Sequence, residues 1–344
     1  MLKKNDGFIR YDYRGACAFY LFAIVTMLVV QALGAGIVAG LQLVFPDVNV
    51  AKNGDFNGAF MIFAQVASCV FIFVYTRCAR KKFDFTIVRR ADGGANVALL
   101  VVFALLTAAV LMIGMYLPTT WYGLLMRVIG IPEDFGALEM ETVTSVIMTV
   151  IATVFLAPVF EELIYRGVLL HGLKRQKRAV VAVLLSAFAF MLMHMNPLQV
   201  VFQFALGAVA AIIVLKTGRV LPAMVMHAAS NALALVISET AIASSLSACI
   251  EWLMANPAAA VFITLGIAAA AGALIFVIIR FGFGKAVRIE SSATDETPEY
   301  ADEKERMTAE ALAKHNVGTG NVMYWVGAGL CIGMLVMNLI AAII

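Results

Sequence analysis

The residues able to do acid–base chemistry are few, and they stand where a charge is least welcome. Pro158-Val159-Phe160-Glu161-Glu162-Leu163-Ile164-Tyr165-Arg166-Gly167 lies inside an apolar stretch, as do Phe190-Met191-Leu192-Met193-His194 and His227-Ala228-Ala229-Ser230-Asn231. A charge at the centre of a bilayer costs from about 2.5 kcal/mol upward and persists only with a partner or a water-filled cavity. On a helix Glu162 and Arg166 are four residues apart and share a face, whereas Glu161 is turned by about 100° and has no cation at helical spacing. Glu162 is therefore expected to be the structural carboxylate, ionised and fixed by Arg166, and Glu161 the one left free to take a proton. His227 and Asn231 repeat the i,i+4 relation, so an imidazole and a carboxamide face the same way and could hold one oxygen between them.

These groups need helices to carry them, and the composition supplies helices of one kind. Of 344 residues 62% are hydrophobic and 14% charged, an apolar excess that marks a membrane protein and not a soluble domain. A span needs about 20 mostly apolar residues, and nine such runs are separated by charge, at 16–45, 58–76, 95–117, 144–172, 179–195, 198–215, 220–239, 257–279 and 322–344. The expected fold class is all-α, a polytopic helical membrane bundle of about nine transmembrane helices. Met195-Asn196-Pro197-Leu198 separates the fifth and sixth runs, since Pro removes a donor and restricts the residue before it. With a rise of ~1.5 Å per residue, Glu161 lies ~16 Å above the inner end of its helix, His194 ~22 Å above the start of its span and His227 ~12 Å above Val220, so a shared site is geometrically allowed.

Basic residues are held back on the cytoplasmic side of a membrane, and here their distribution is one-sided. All loop and terminal Lys and Arg except Lys52 and Arg127 fall on the side of the amino terminus, which is expected in the cytoplasm of a multi-pass protein of the cell membrane. Arg166, inside the fourth span, is not explained by topology. The net charge of +3 comes without a Lys/Arg-rich arm, which excludes a nucleic-acid partner read through a broad basic face. Five scattered cysteines with no CxxC spacing support neither a disulfide framework nor a thiolate metal site. The first run, about Gly15 to Phe45, is expected to be a retained anchor, and the ending Ile340-Ala341-Ala342-Ile343-Ile344 is not that of a CAAX substrate.

The chain divides into three regions: 1–143 with three spans, 144–239 with spans four to seven and the ionisable groups, and 240–344 with the last two spans. Leu117 to Thr142, with Trp121, Tyr122 and the turn signal Ile131-Pro132-Glu133-Asp134, is expected to be an outer loop. The segment at about 281–320 is the long polar loop, acidic between Glu290 and Glu310, a composition that favours disorder or an exposed helix. Met191, Met193 and Met195 suit packing better than metal ligation, and His171 and His315 look like ordinary cytoplasmic-side residues.

Glu-Glu-x-x-x-Arg at 161–166, Phe-x-x-x-His at 190–194 and His-x-x-x-Asn at 227–231, each in its own helix and in that order, resemble the signature of the CPBP intramembrane proteases. That family includes type II CAAX prenyl endopeptidases and relatives linked to bacteriocin processing and self-immunity. The resemblance covers about residues 144–239. It implies an intramembrane endopeptidase in which Glu161 and His194 activate water while His227 and Asn231 stabilise the oxyanion, with Glu162 and Arg166 in support. In a metalloprotease version, Glu161, His194 and His227 could ligate Zn2+. The ligands would then come from three helices, unlike the single helix of HExxH, and the metal-free version has the merit of giving Asn231 a role. The implied partners are the lipid bilayer and a membrane-delivered peptide or protein, prenylated or not. Two other classes share the same groups: a proton-coupled carrier, which lacks support from an internal repeat, and a non-catalytic membrane adaptor.

Overall fold

A computed structural model describes residues 13–78, 96–132, 135, 140–239, 242–286 and 303–343. Helices α1 (Tyr13–Val44), α2 (Gly54–Cys78) and α3 (Val97–Val128) precede a long helix, α4 (Val143–Gln176). Then come α5 (Ala179–Met193), α6 (Val200–Thr217), α7 (Leu221–Glu239), α8 (Ile242–Ala255), α9 (Pro257–Val277, continuing to Ala286) and α10 (Glu303–Ile343). No strand occurs among the described residues. Eight helices are long and apolar enough to cross a membrane, while α5 is a shorter apolar helix. The protein is an integral membrane protein, a polytopic all-helical bundle.

The helix ends show why the chain turns where it does. Thr142 opens α4 with a capping box: its hydroxyl accepts from the Ser145 N–H, and the Ser145 hydroxyl accepts from the Thr142 N–H. Gly218, at φ 65°, closes α6 in the left-handed region that glycine adopts at least cost. At the end of α5 the left-handed residue is Met195, at φ 49°, a conformation that a side chain disfavours. Asn338 Nδ2 of α10 donates to the Met195 carbonyl at 2.9 Å, and Asn196 Oδ1 accepts from the Leu198 N–H at 2.9 Å to start the next turn.

α4 is the axis of the assembly. Every residue from Leu163 to Leu170 is buried, which is what a helix apolar on all sides requires. Its amino-terminal half packs on α2 and α7, its carboxyl-terminal half on α1 and α5, and α10 lies along α1. α9 is peripheral, with Phe262 77% and Phe276 64% exposed, as expected of side chains that face lipid.

Two expectations are corrected. Leu117 to Val128 is helical and not a loop: α3 runs through Pro118, and the Trp121 indole N–H donates to Thr264 Oγ1 of α9 at 2.8 Å. Pro is tolerated inside membrane helices where hydroxyls and neighbouring helices satisfy the backbone, and Thr119 and Thr120 donate to the Met115 and Tyr116 carbonyls. Glu133 and Asp134 lie outside the described residues. A short helix not anticipated, α8, occupies 242–255. The far end of the polar loop is helical from Glu303 onward, one of the two forms expected of its composition, and 287–302 lies outside the described residues.

Candidate functional site

The three motif segments meet around one aromatic ring. Phe190 of α5 has the Arg166 guanidinium over its face at 4.2 Å, the Tyr165 ring at 5.4 Å, the His194 ring at 4.9 Å and the His227 ring at 5.5 Å, measured between centroids. The sequence motif includes Phe190 without assigning it a task. An aromatic four residues before an intramembrane His was the available signal, since the two share a helical face.

Glu162 and Arg166 are completely buried, and Arg166 Nη1 donates to Glu162 Oε1 at 2.8 Å. Arg166 Nη2 reaches α6, donating to the Gly207 carbonyl at 3.0 Å. Glu162 Oε1 also faces His227 Nδ1 at 3.1 Å. A carboxylate oxygen only accepts, so Nδ1 carries the proton and Nε2 is the ring atom turned toward Glu161, whose Oε2 lies 3.9 Å away. That separation is too long for a direct hydrogen bond. One imidazole thus bonds one glutamate and faces the other, a cross-helix arrangement that spacing along a single helix could not reveal.

His194 closes α5. Its Nδ1 lies 3.0 Å from the Phe190 carbonyl, so that nitrogen is the donor and Nε2 keeps its lone pair. Asn231 lies one turn beyond His227 on α7. Its Nδ2 donates to the Thr153 carbonyl of α4 at 2.7 Å, which occupies one of two N–H groups and leaves the other.

The backbone of α4 explains how it accepts these contacts. π-helical turns at Ile151–Leu156 and Leu163–Leu169 flank the two glutamates. Such turns release carbonyls from the regular ladder and recur at functional sites. Side chains bond three carbonyls within these turns: Asn231 at Thr153, Ser186 Oγ at Tyr165, and His171 Nδ1 at Arg166, the last at 2.6 Å. His171 thus bonds the backbone of its own helix beneath the site.

Glu161 differs from every other member in reaching a void. It lines a cavity of about 260 Å³ walled by α1, α2 and α4, with Met193 of α5 also at its edge. Its Oε2 has no hydrogen-bond partner among the described residues.

Glu161, His194 and His227 are chemically suited to zinc, and each histidine bonds its Nδ1 in the manner of a metal ligand. The arrangement does not fit a three-ligand site, however, because among the described residues no three His, Cys, Asp or Glu side chains converge as a metal requires.

Residues 143–233 match the family model described as Type II CAAX prenyl endopeptidase Rce1-like. The matched segment begins with α4 and ends within α7, so it holds all six site residues, and it supports an intramembrane protease of the CAAX type. No curated protein and no solved structure matches the chain.

Proposed function

We propose that the protein is an intramembrane endopeptidase that hydrolyses a peptide bond in a membrane-delivered peptide, with Glu161 as the base that activates water. The observation that carries this reading is the contrast within one dipeptide. One oxygen of each carboxylate is without a hydrogen-bond partner among the described residues, but Glu162 Oε1 is held by Arg166 and His227, whereas Glu161 opens on the cavity.

Water attacks the scissile carbonyl as Glu161 takes one of its protons, and His194 Nε2 accepts a hydrogen bond from the other. The oxyanion receives the remaining Asn231 N–H, together with His227 when its Nε2 is protonated. Donors aimed at developing charge in a dry site are worth about 2.7–4 kcal/mol each. Glu161 returns its proton to the leaving amine, the C–N bond breaks, and an acid and an amine leave. Glu162 and Arg166 touch no reacting atom. They hold His227 in its tautomer, as a carboxylate does for the histidine of a catalytic triad.

The test is cleavage of an internally quenched, farnesylated CAAX peptide and its unprenylated counterpart by purified protein in lipid nanodiscs. Cleavage by the wild type that is lost in Glu161→Gln supports the reading, and the pair of peptides shows whether the lipid is read. Equal rates for Glu161→Gln and the wild type would overturn it. The one-sided basic residues further support a cytoplasmic amino terminus. Single cysteines in place of Lys52 and Lys177 test that orientation, with external labelling expected at position 52 alone.

A further inference from the structure

The cavity at Glu161 has a polar lining that the hydrolytic chemistry does not use. Four polar side chains from α1 and α2 face it: Thr26, Gln31, Gln65 and Ser68. Two of these are spent locally, since the Thr26 hydroxyl donates to the Phe22 carbonyl and the Ser68 hydroxyl to the Ala64 carbonyl. Gln31, which is exposed, and Gln65, which is half-buried, remain, and neither amide makes a hydrogen bond among the described residues. An uncompensated amide in an apolar medium is costly, and polar residues in membrane helices ordinarily repay it by bonding across a helix interface. This protein follows that rule elsewhere: Tyr13 with Asn321, Trp121 with Thr264, Asn231 with Thr153 and Asn338 with Met195 all bond between helices.

The two glutamines also stand level. Loop 45–53 joins α1 to α2, and from that end of each helix Gln31 lies ~20 Å along and Gln65 ~16 Å, at a rise of ~1.5 Å per residue. Two amides at one depth, on adjacent helices that line a cavity shared with the Glu161 carboxylate, form a pair of donor–acceptor forks. A carboxamide presents the same groups as a peptide unit, a carbonyl and N–H donors. Its natural complement here is the main chain of an extended peptide, whose N–H and C=O groups lose their helical partners once the segment around a cleavable bond is unwound, and which find no water in the hydrocarbon.

We infer that Gln31 and Gln65 bind the substrate's peptide backbone, holding an extended segment between α1 and α2 with its scissile bond at Glu161. The inference rests on the endopeptidase reading and adds a sequence-independent backbone clamp supplied by helices outside the matched segment 143–233. The side chains of the substrate would be read little by these two residues, so selection at this wall falls on extendability.

The experiment measures binding apart from cleavage. In the Glu161→Gln background in nanodiscs, the affinity of the fluorescent farnesylated CAAX peptide is compared with that of Gln31→Met and Gln65→Met, which keep side-chain length and remove the amide. Gln31→Leu and Gln65→Leu stand in if either Met variant fails to fold. A series of peptides, each with one backbone ester in place of an amide near the cleaved bond, completes the cycle. Each Gln variant is expected to bind the parent peptide about tenfold more weakly. At least one ester peptide should show a similar loss on the parent protein and no further loss on the matching Gln variant. Unchanged affinity in both Gln variants, losses that simply add for every ester position, or a peptide that binds no form of the protein would each overturn the clamp. Gln variants that bind and cleave normally while Glu161→Gln abolishes cleavage sink the clamp alone. Gln-dependent binding without cleavage by the wild type sinks the endopeptidase reading and leaves the binding site standing.

Discussion

Glu161 and Glu162 are neighbours in sequence and belong to different regions of the molecule. On the Glu162 side the helices are closed against one another: Arg166 spans from α4 to the α6 backbone and lies on Phe190 of α5, with no measurable exposure. On the Glu161 side they stand apart around a cavity. The lesson is one of division. A helix turns each successive residue by about 100°, so one dipeptide can give one carboxylate to structure and the next to chemistry.

The largest expected effect falls on the open side. Glu161→Gln keeps the shape of the side chain and removes its basicity, and general-base catalysis is worth about 10²–10⁴-fold. Peptide cleavage should fall by that factor while the melting temperature in detergent stays near that of the wild type. A large drop in melting temperature would show that the two glutamates do not divide structure from chemistry in this way.

On the closed side the effect should be on stability. Arg166→Ala leaves Glu162 buried without its cation, a change that costs about 3–5 kcal/mol. Accumulation in the membrane and thermal stability should both drop. Replacing both partners, Glu162→Met with Arg166→Met, should recover much of that stability because no lone charge remains. The double variant should stay slow in cleavage, since His227 has lost the oxygen that holds its Nδ1 proton. A double variant as unstable as Arg166→Ala would argue against charge isolation as the cause.

Much of this division was legible in the sequence, and the rest was hidden for identifiable reasons. The i,i+4 pairing of Glu162 with Arg166 follows from helical geometry, and that bond is present. The approach of His227 to both glutamates depends on how α7 meets α4, which no single-helix pattern encodes. The partner of Asn231 depends on a π-helical turn running into Pro158, whose missing N–H leaves the Thr153 carbonyl free, and such turns leave little trace in apolar periodicity. Gln31 and Gln65 carry no charge and so do not stand out among ionisable groups, although an uncharged amide in a span is also out of place. Pro118 is a sound end signal for a helix in water and a weak one for a helix in a membrane.

A smaller effect is expected where closure depends on a missing side chain. Gly207 gives Arg166 its carbonyl, and a Cβ there would lie 3.0 Å from Ala187 Cα and 3.3 Å from Arg166 Nη2. The first of these atoms is backbone and cannot swing aside. Gly207→Ala should therefore separate α5 from α6 and cost about 1–3 kcal/mol, the range for overpacking a well-fitted interior. Cleavage should decline in step with the folded fraction. Gly36→Ala, at a position where a Cβ meets nothing within 4 Å, is the matched control and should leave both measurements unchanged.

The smallest effect should come from the far end of the chain. His194 caps α5, and its neighbour Met195 adopts the left-handed region. That conformation costs roughly 1–2 kcal/mol for a residue with a side chain. The Asn338 amide of α10 donates to the Met195 carbonyl, and the Tyr324 hydroxyl of the same helix donates to the Leu185 carbonyl of α5 at 2.7 Å. α10 thus steadies α5 at two heights, one of them beside His194. Asn338→Ala removes a neutral hydrogen bond worth about 0.5–1.5 kcal/mol, too little to unfold the bundle. Yet it frees the turn that sets the direction of His194 Nε2. The expected result is a modest fall in melting temperature and a several-fold fall in kcat with little change in KM, because the peptide is held by other walls of the cavity. Tyr324→Phe removes the brace farther from His194 and should lower stability by a similar amount without the loss in kcat. If the two variants lose kcat equally, α10 stabilises α5 as a whole and has no particular hold on the histidine.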